Sequence, residues 1–188
     1  MLIPSRTECL ELLRRFDMPH HIRRHSLLVA EVALFLATRL NLNSSRLDLR
    51  LIEAAALLHD IGKASSLLTG GDHAALGAHM LDGIVHPDVS RIVEEHISLV
   101  PSQVAGPITE SLVVNYSDKR VMHDRVVSVE ERYEDLIVRY AKGPSHEQIL
   151  RRKLDLYSAL ETTVFSHLSI APHDTEIMGI TIDRIKGA

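Results

Sequence analysis

Apolar residues recur three and four positions apart along nearly the whole chain, and this spacing is the period of an α-helix. Capping residues separate the apolar stretches: Pro19 and Pro87 suit a first helical turn, and Asp72 and Ser128 suit N-caps. No strand-rich segment and no internal repeat interrupts this pattern. The sequence therefore predicts an all-α protein, a bundle of about eight helices.

Length, charge and cysteine content indicate how many domains the chain forms, which partners it lacks and where it is located. A chain of 188 residues that is 45% hydrophobic can bury one core, so one domain is expected over residues 1–188. A net charge of −4 predicts no broad attraction to a nucleic-acid polymer or a membrane. We interpret the basic stretches 119–125 and 151–155 as solvated helix faces, because acidic residues lie close by. Cys9 is the only cysteine and the N-terminus does not resemble a signal peptide, so we expect a cytoplasmic protein.

Histidine is the unusual residue, with twelve copies and no tryptophan. A helix presents positions i, i±3, i±4 and i±7 on one face, so the neighbours of each polar residue predict where it points. His25, for example, shares its face with Val29 and Val32, whereas His79 and His123 lie near charged residues. By this test, five helices each direct one polar side chain toward the core: His25, His59, His73, His96 and Asp118.

Each inward residue alone has an ordinary explanation, because a single core histidine is usually just hydrogen-bonded. Together with Asp60, however, they would bring four imidazoles and two carboxylates to one place, at a cost of several kcal/mol for each unpaired carboxylate. A bound metal ion removes that cost. Adjacent residues in a helix point about 100° apart, so His59 and Asp60 can share an ion only if the helix ends there and turns at Gly62. That helix is predicted to begin at a Ser44 or Ser45 cap.

The order of these residues resembles the HD superfamily of metal-dependent phosphohydrolases. His25 lies in "RRHSLLVAEVA", His59 and Asp60 in "AAALLHDIGK", and Asp118 in "YSDKRV". The resemblance implies that these four residues bind one metal. It places the motif-bearing core at about residues 20–125, followed by C-terminal helices and a tail over 126–188.

Two further segments resemble the additional histidine segments of HD proteins with binuclear sites. They are "DHAALGAHML", which contains His73, and "IVEEHISL", which contains His96. The resemblance implies that these histidines bind a second metal and that Asp60 bridges the two. Imidazole and carboxylate ligands favour one or two divalent ions of Fe, Mn, Ni, Co or Zn.

The resemblance implies a metal-dependent phosphohydrolase that uses a metal-activated hydroxide against a small phosphoester, above all a nucleotide. Asp60 would orient the hydroxide, Lys63 would stabilise the developing charge, and Arg24 and Lys119 would contact phosphate. The alternative is a non-catalytic HD module that binds a nucleotide and signals; a third interpretation is a di-iron oxidative enzyme. The C-terminal helices are candidates for a homodimer interface or a lid.

The same segments argue against some branches of the superfamily. The stretch "ISLVPSQVAG" lacks the Gly-Tyr-Pro loop of the cyclic-dinucleotide phosphodiesterases, and "IGKAS" lacks the Glu-Asp pair of the alarmone hydrolases. No glycine-rich phosphate loop and no GxSxG element is present. The sequence therefore predicts a compact HD domain without choosing its substrate.

Overall fold

The eight predicted helices are present in the computed structural model of the chain, which describes residues 1–43 and 45–182. Ser44 and residues 183–188 of the predicted domain lie outside this part. Three shorter helices, of four to seven residues, add to the eight within the described residues. The helices are α1 Arg6–Arg15, α2 His20–Leu42, α3 Leu49–Leu58, α4 Lys63–Thr69, α5 His73–Leu81, α6 Pro87–Glu95, α7 Pro101–Val104, α8 Glu110–Lys119, α9 Val129–Tyr140, α10 Pro144–Phe165 and α11 Thr175–Met178. The all-α prediction is confirmed.

Local hydrogen bonds explain where several helices begin. Asp72 accepts from the backbone of Ala74 at the start of α5, as predicted. Ser128 and Glu131 form a reciprocal capping box at the start of α9. The predicted Ser45 cap of α3 is wrong, and Ser44 lies outside the described residues. Asp48 caps α3 instead, because its carboxylate accepts from two backbone amides of the first turn.

Helix α2 runs through the middle of the core and packs against α3 and α8. Among the described residues, α2 is the one helix whose length and composition would allow it to cross a membrane. Its most apolar window is 61% buried inside the protein, which is the pattern of a core helix in a soluble domain. The packing leaves His25 buried beside α8.

The chain leaves helix α8 earlier than its apolar pattern predicts. The helix ends at Lys119, and a small antiparallel hairpin follows, with β1 at Val121–Met122 and β2 at Arg125–Val126. The sequence pattern predicts a helix that begins at Pro107 or Thr109 and runs through Met122, and this predicted end is therefore wrong. His123 occupies the turn with a φ of 59°.

A buried arginine lies at this change of path. Arg120 is fully buried, and its guanidinium donates to the carbonyls of Val127 and Pro172, each at 2.7 Å. It also donates to the Tyr116 hydroxyl at 2.6 Å and pairs with Glu161. The interpretation of 119–125 as a solvated helix face is wrong for this residue, because its contacts join α8, the hairpin, α10 and the C-terminal segment.

Arg120→Ala is expected to destabilise the protein by about 3–5 kcal/mol, since it leaves the Glu161 carboxylate buried without its partner. Urea denaturation followed by circular dichroism measures this change. Arg125→Ala, at an exposed position in the same hairpin, is the matched control and should cost far less. Equal midpoints for the two variants would contradict the structural role of Arg120.

Candidate metal centre

Two of the predicted ligands occupy the same position at the ends of different helices. His59 is the C-cap of α3 and His96 is the C-cap of α6. Each imidazole can donate from Nδ1 to the carbonyl three residues earlier, Ala56 at 2.7 Å and Val93 at 2.6 Å. These bonds favour the tautomer whose Nε2 carries a lone pair, and such an outer hydrogen bond orients a metal-binding histidine.

Asp60 lies between two groups of histidines and presents one oxygen to each. Its Oδ2 is 3.5 Å from Nε2 of His59 and 3.9 Å from Nε2 of His25. Its Oδ1 is 3.4 Å from Nε2 of His73 and 3.8 Å from Nε2 of His96. The two latter nitrogens are 3.2 Å apart. A carboxylate in this position can serve two cations at once.

Asp118 completes the first of these groups from helix α8. Its Oδ1 is 3.0 Å from Nε2 of His25 and 3.7 Å from Nε2 of His59. All six predicted ligands therefore converge, although they come from five places in the chain. Five are buried, whereas the His73 side chain is 26% exposed to solvent.

Neighbouring lysines and histidines compensate the two buried carboxylates through charge and hydrogen bonds. Burial alone would raise the pKa of Asp60, but His59 and Lys63 hold that pKa well below its usual range. Burial likewise opposes ionisation of Asp118, but Lys119 and His25 keep its pKa well below normal. Burial disfavours a charged His59, yet the two carboxylates raise its pKa to about 9, so a cation bound there would displace the proton on Nε2.

The second group of histidines is held neutral. Burial lowers the pKa of His96 to about 3 and also lowers the pKa of His73. Neutral imidazole is the form that binds a metal. The cluster therefore suits divalent cations, because it combines two negative carboxylates with the neutral imidazoles of His73 and His96.

The chemistry of the donors fits a transition metal. Two sets satisfy the spacing for a shared ion within the described residues: His25, His59 and Asp118, and His59, Asp60 and His96. Nε2 of His59 is buried and has no hydrogen-bond partner there. An unpaired buried nitrogen is costly, and a cation would satisfy it.

The three predicted cationic contacts differ in their placement. Lys63 begins α4, and its Nζ is 2.8 Å from Asp60 Oδ2 while the side chain remains 40% exposed. Lys119 pairs with Asp118. Arg24 instead pairs with Asp124 at 3.5 Å. The structure thus brings both lysines to the carboxylates, whereas Arg24 is engaged with the hairpin turn.

Gly62 permits the close approach of α5 to the turn that follows the His59–Asp60 pair. A Cβ at this position would lie 2.2 Å from the carbonyl oxygen of His73 and 2.5 Å from the amide nitrogen of Gly77. Its φ is −80°, which any residue can adopt. The glycine is therefore required for space rather than for the turn, and this contact sets His73 beside Asp60.

Comparisons with known proteins identify one matching family and two curated relatives. The HD domain family matches residues 22–160. A tRNA (cytidine(56)-2′-O)-methyltransferase of Thermoplasma volcanium is 30% identical over 69% of this chain and 40% of its own length. A protein of the same name from Picrophilus torridus is 32% identical over 80% of this chain and 45% of its own length. The chain thus spans less than half of these curated relatives, and no solved structure matches it.

These names overturn the prediction of a phosphohydrolase that acts on a small phosphoester. Both relatives are named as methyltransferases. The error has a physical reason: the ligands determine which metals can bind, but one set of ligands on one fold serves many reactions. What the family supports is coarser, namely an HD domain whose His and Asp groups can hold a divalent metal.

Proposed function

The chain belongs to the HD domain family, and from this premise we propose that it is a divalent-metal-binding domain that engages the ribose–phosphate backbone of a tRNA during ribose 2′-O-methylation. The observation that carries the proposal is the division of the buried cluster by the two oxygens of Asp60. The methylation and the tRNA come from the names of the two relatives.

The cluster would hold one or two divalent ions of Fe, Mn, Ni, Co or Zn. His25, His59, Asp60 and Asp118 would hold the first, and His73 and His96 with the other oxygen of Asp60 would hold the second. A cation bound there neutralises phosphate charge and lowers the pKa of a coordinated hydroxyl group. The partly exposed His73 marks the side from which RNA would enter.

The lysines of the centre support a phosphate-binding role. Lys63 and Lys119 pair with the two carboxylates, and both carboxylates are also ligands in the proposal. A cation that takes over these carboxylates would free the ammonium groups to contact phosphate. Lys63 is the better placed of the two because its side chain is 40% exposed, against 12% for Lys119.

This proposal departs from the expectation that no nucleic-acid polymer is a partner. That expectation rests on the net charge of −4, which describes the whole surface. The proposed contact depends instead on a few cations at one opening, where they act over short distances. Since the chain spans 40–45% of the relatives' length, methyl transfer stays with the relatives as named, and RNA engagement is what we propose for this chain. A cytoplasmic location is part of the same proposal.

A tRNA transcript tests this function directly. Fluorescence anisotropy with Mn²⁺ present should show binding that EDTA weakens, and Lys63→Ala should weaken it about tenfold because a hydrogen bond to a charged group is lost. Lys142→Ala, an exposed lysine in the turn before α10, is the matched control and should bind as wild type. A DNA oligonucleotide of the same sequence lacks the 2′-hydroxyl and should bind less tightly. Binding that is indifferent to Mn²⁺, Lys63 and the 2′-hydroxyl would refute the proposal.

A further inference from the structure

A buried amide on α8 holds the end of α6 in place. Asn115 is 1% exposed, and its Nδ2 donates to the carbonyls of Ser98 at 2.7 Å and Glu95 at 3.3 Å. His96 lies between these two residues in the turn that ends α6. The carbonyl of Glu95, the last residue of α6, has no partner within the helix, and Asn115 supplies one beside the amide of Ser98.

A tyrosine on α10 fixes the orientation of this amide. The Tyr157 hydroxyl donates to Oδ1 of Asn115, and the ring is 2% exposed. Because the oxygen of the amide accepts this bond, its nitrogen must face the two carbonyls of the α6 turn. Burial raises the pKa of Tyr157, so the hydroxyl remains a proton donor at ordinary pH. Tyr157, Asn115 and the α6 turn thus form one satisfied chain of hydrogen bonds.

The chain of hydrogen bonds joins α6, which ends at His96, to α8, which carries Asp118. Asn115 precedes Asp118 by three residues, which is nearly one helical turn. Helix α8 therefore supplies both Asp118, which lies beside His25 and His59, and Asn115, which holds the turn that contains His96. Nε2 of His96 faces Oδ1 of Asp60 at 3.8 Å and Nε2 of His73 at 3.2 Å, so a small rotation of the α6 turn would change both distances.

We propose that Asn115 and Tyr157 are positioning residues that fix His96 for the cation held by His73, His96 and Asp60. The proposal rests on the metal binding of the proposed function. Neither residue is a ligand; each acts through the backbone of the α6 turn. Loss of such an outer contact lowers metal affinity by about 10–100-fold.

Tyr157→Phe tests the proposal because it removes one hydroxyl and keeps the ring. Tyr133→Phe is the matched control: Tyr133 is buried, its ring centroid is 5.6 Å from that of Tyr157, and its hydroxyl has no hydrogen bond to the described residues. In a Co²⁺ titration followed by visible absorption, Tyr157→Phe should weaken the second of two binding steps about tenfold and alter its spectrum. The first step, and both steps in Tyr133→Phe, should remain as in wild type. Co²⁺ titrations of Tyr157→Phe and wild type that coincide would overturn the proposal.

Hydrogen exchange in the metal-free protein separates this proposal from the proposed function. The amide of Ser98 donates to the carbonyl of Glu95 at 3.0 Å and reports on opening of the turn. We expect it to exchange about tenfold faster in Tyr157→Phe, and at the wild-type rate in Tyr133→Phe. If wild type binds no Co²⁺, the proposed function fails, while equal exchange in all three proteins refutes the positioning role itself.

Asn115→Ala provides a second variant with a larger expected effect, because it removes all three hydrogen bonds. Its unfolding free energy is measured first by urea denaturation. If it folds, faster exchange of Ser98 and a weaker second Co²⁺ step are expected, and wild-type values for both would refute the proposal. If it does not fold, Tyr157→Phe decides the question.

Discussion

Asp60→Asn is expected to abolish binding of the second divalent cation and to lower the affinity for the first by at least about 100-fold. This loss exceeds the one expected when only a hydrogen bond to a ligand is removed. The substitution keeps the shape of the side chain but removes the charge that faces both groups of histidines. Isothermal titration with Mn²⁺ and metal analysis of the dialysed protein measure the loss.

The Asp60→Asn variant should still fold, because the amide keeps the shape of the carboxylate and the released Lys63 ammonium is 40% exposed to water. Circular dichroism checks this. The matched control is Asp82→Asn, at the exposed C-cap of α5 outside the cluster, and it should bind Mn²⁺ as wild type does. Wild-type Mn²⁺ affinity in Asp60→Asn would contradict the assignment of this carboxylate as a bridge.

Gly62→Ala is expected to destabilise the protein by about 3 kcal/mol or more, since overpacking against fixed backbone cannot be relieved by a rotamer change. The added Cβ would meet the His73 carbonyl oxygen at 2.2 Å and the Gly77 amide nitrogen at 2.5 Å. To avoid them, α5 must move away from the turn that carries Asp60. We therefore also expect the cation beside His73 to bind more weakly. Urea denaturation and Mn²⁺ titration measure the two effects.

Gly106→Ala is the matched control for this change. A Cβ at Gly106 would lie 3.3 Å from its nearest neighbour, the Ser102 carbonyl oxygen, and would need only a small adjustment. We expect a cost below about 1 kcal/mol and unchanged Mn²⁺ binding. If the two variants have the same unfolding free energy, the close contact at Gly62 does not determine the packing of α5.

The helices could be predicted from sequence because their signals are local. Apolar spacing and caps such as Asp72 lie within a few residues of the structure that they determine. The face of each helix also separated His73, which joins the cluster, from the exposed His79 on the same helix. The same test selected Asp118, and the resemblance to the HD superfamily then implied that His25, His59, Asp60 and Asp118 bind one metal.

The features that sequence reasoning missed depend on distant parts of the chain. Arg120 is buried because Pro172 and Glu161, far away in sequence, supply its acceptors. Asn115 looks like an ordinary polar residue of α8 until the end of α6 lies beside it. The space that Gly62 provides exists only after α5 packs on the preceding turn. No pattern within one helix could have predicted these contacts.

The function was harder to predict than the site for a related reason. Ligand type and spacing indicate a divalent transition metal, because they reflect the charge and geometry that the ion prefers. They do not specify which group of a substrate meets that ion. The relatives' names therefore redirect the hypothesis from a small phosphoester to a tRNA, while the metal chemistry of the cluster is unchanged.

Anomalous X-ray diffraction from crystals grown with Co²⁺ tests the central claim, a divalent-metal centre at Asp60, most directly. We predict one strong anomalous peak among His25, His59, Asp60 and Asp118, and a second between Asp60 and the pair His73 and His96. Each peak should lie about 2.0–2.2 Å from its nitrogen and oxygen ligands. A Co²⁺-saturated crystal with no anomalous peak in contact with Asp60 would contradict the account.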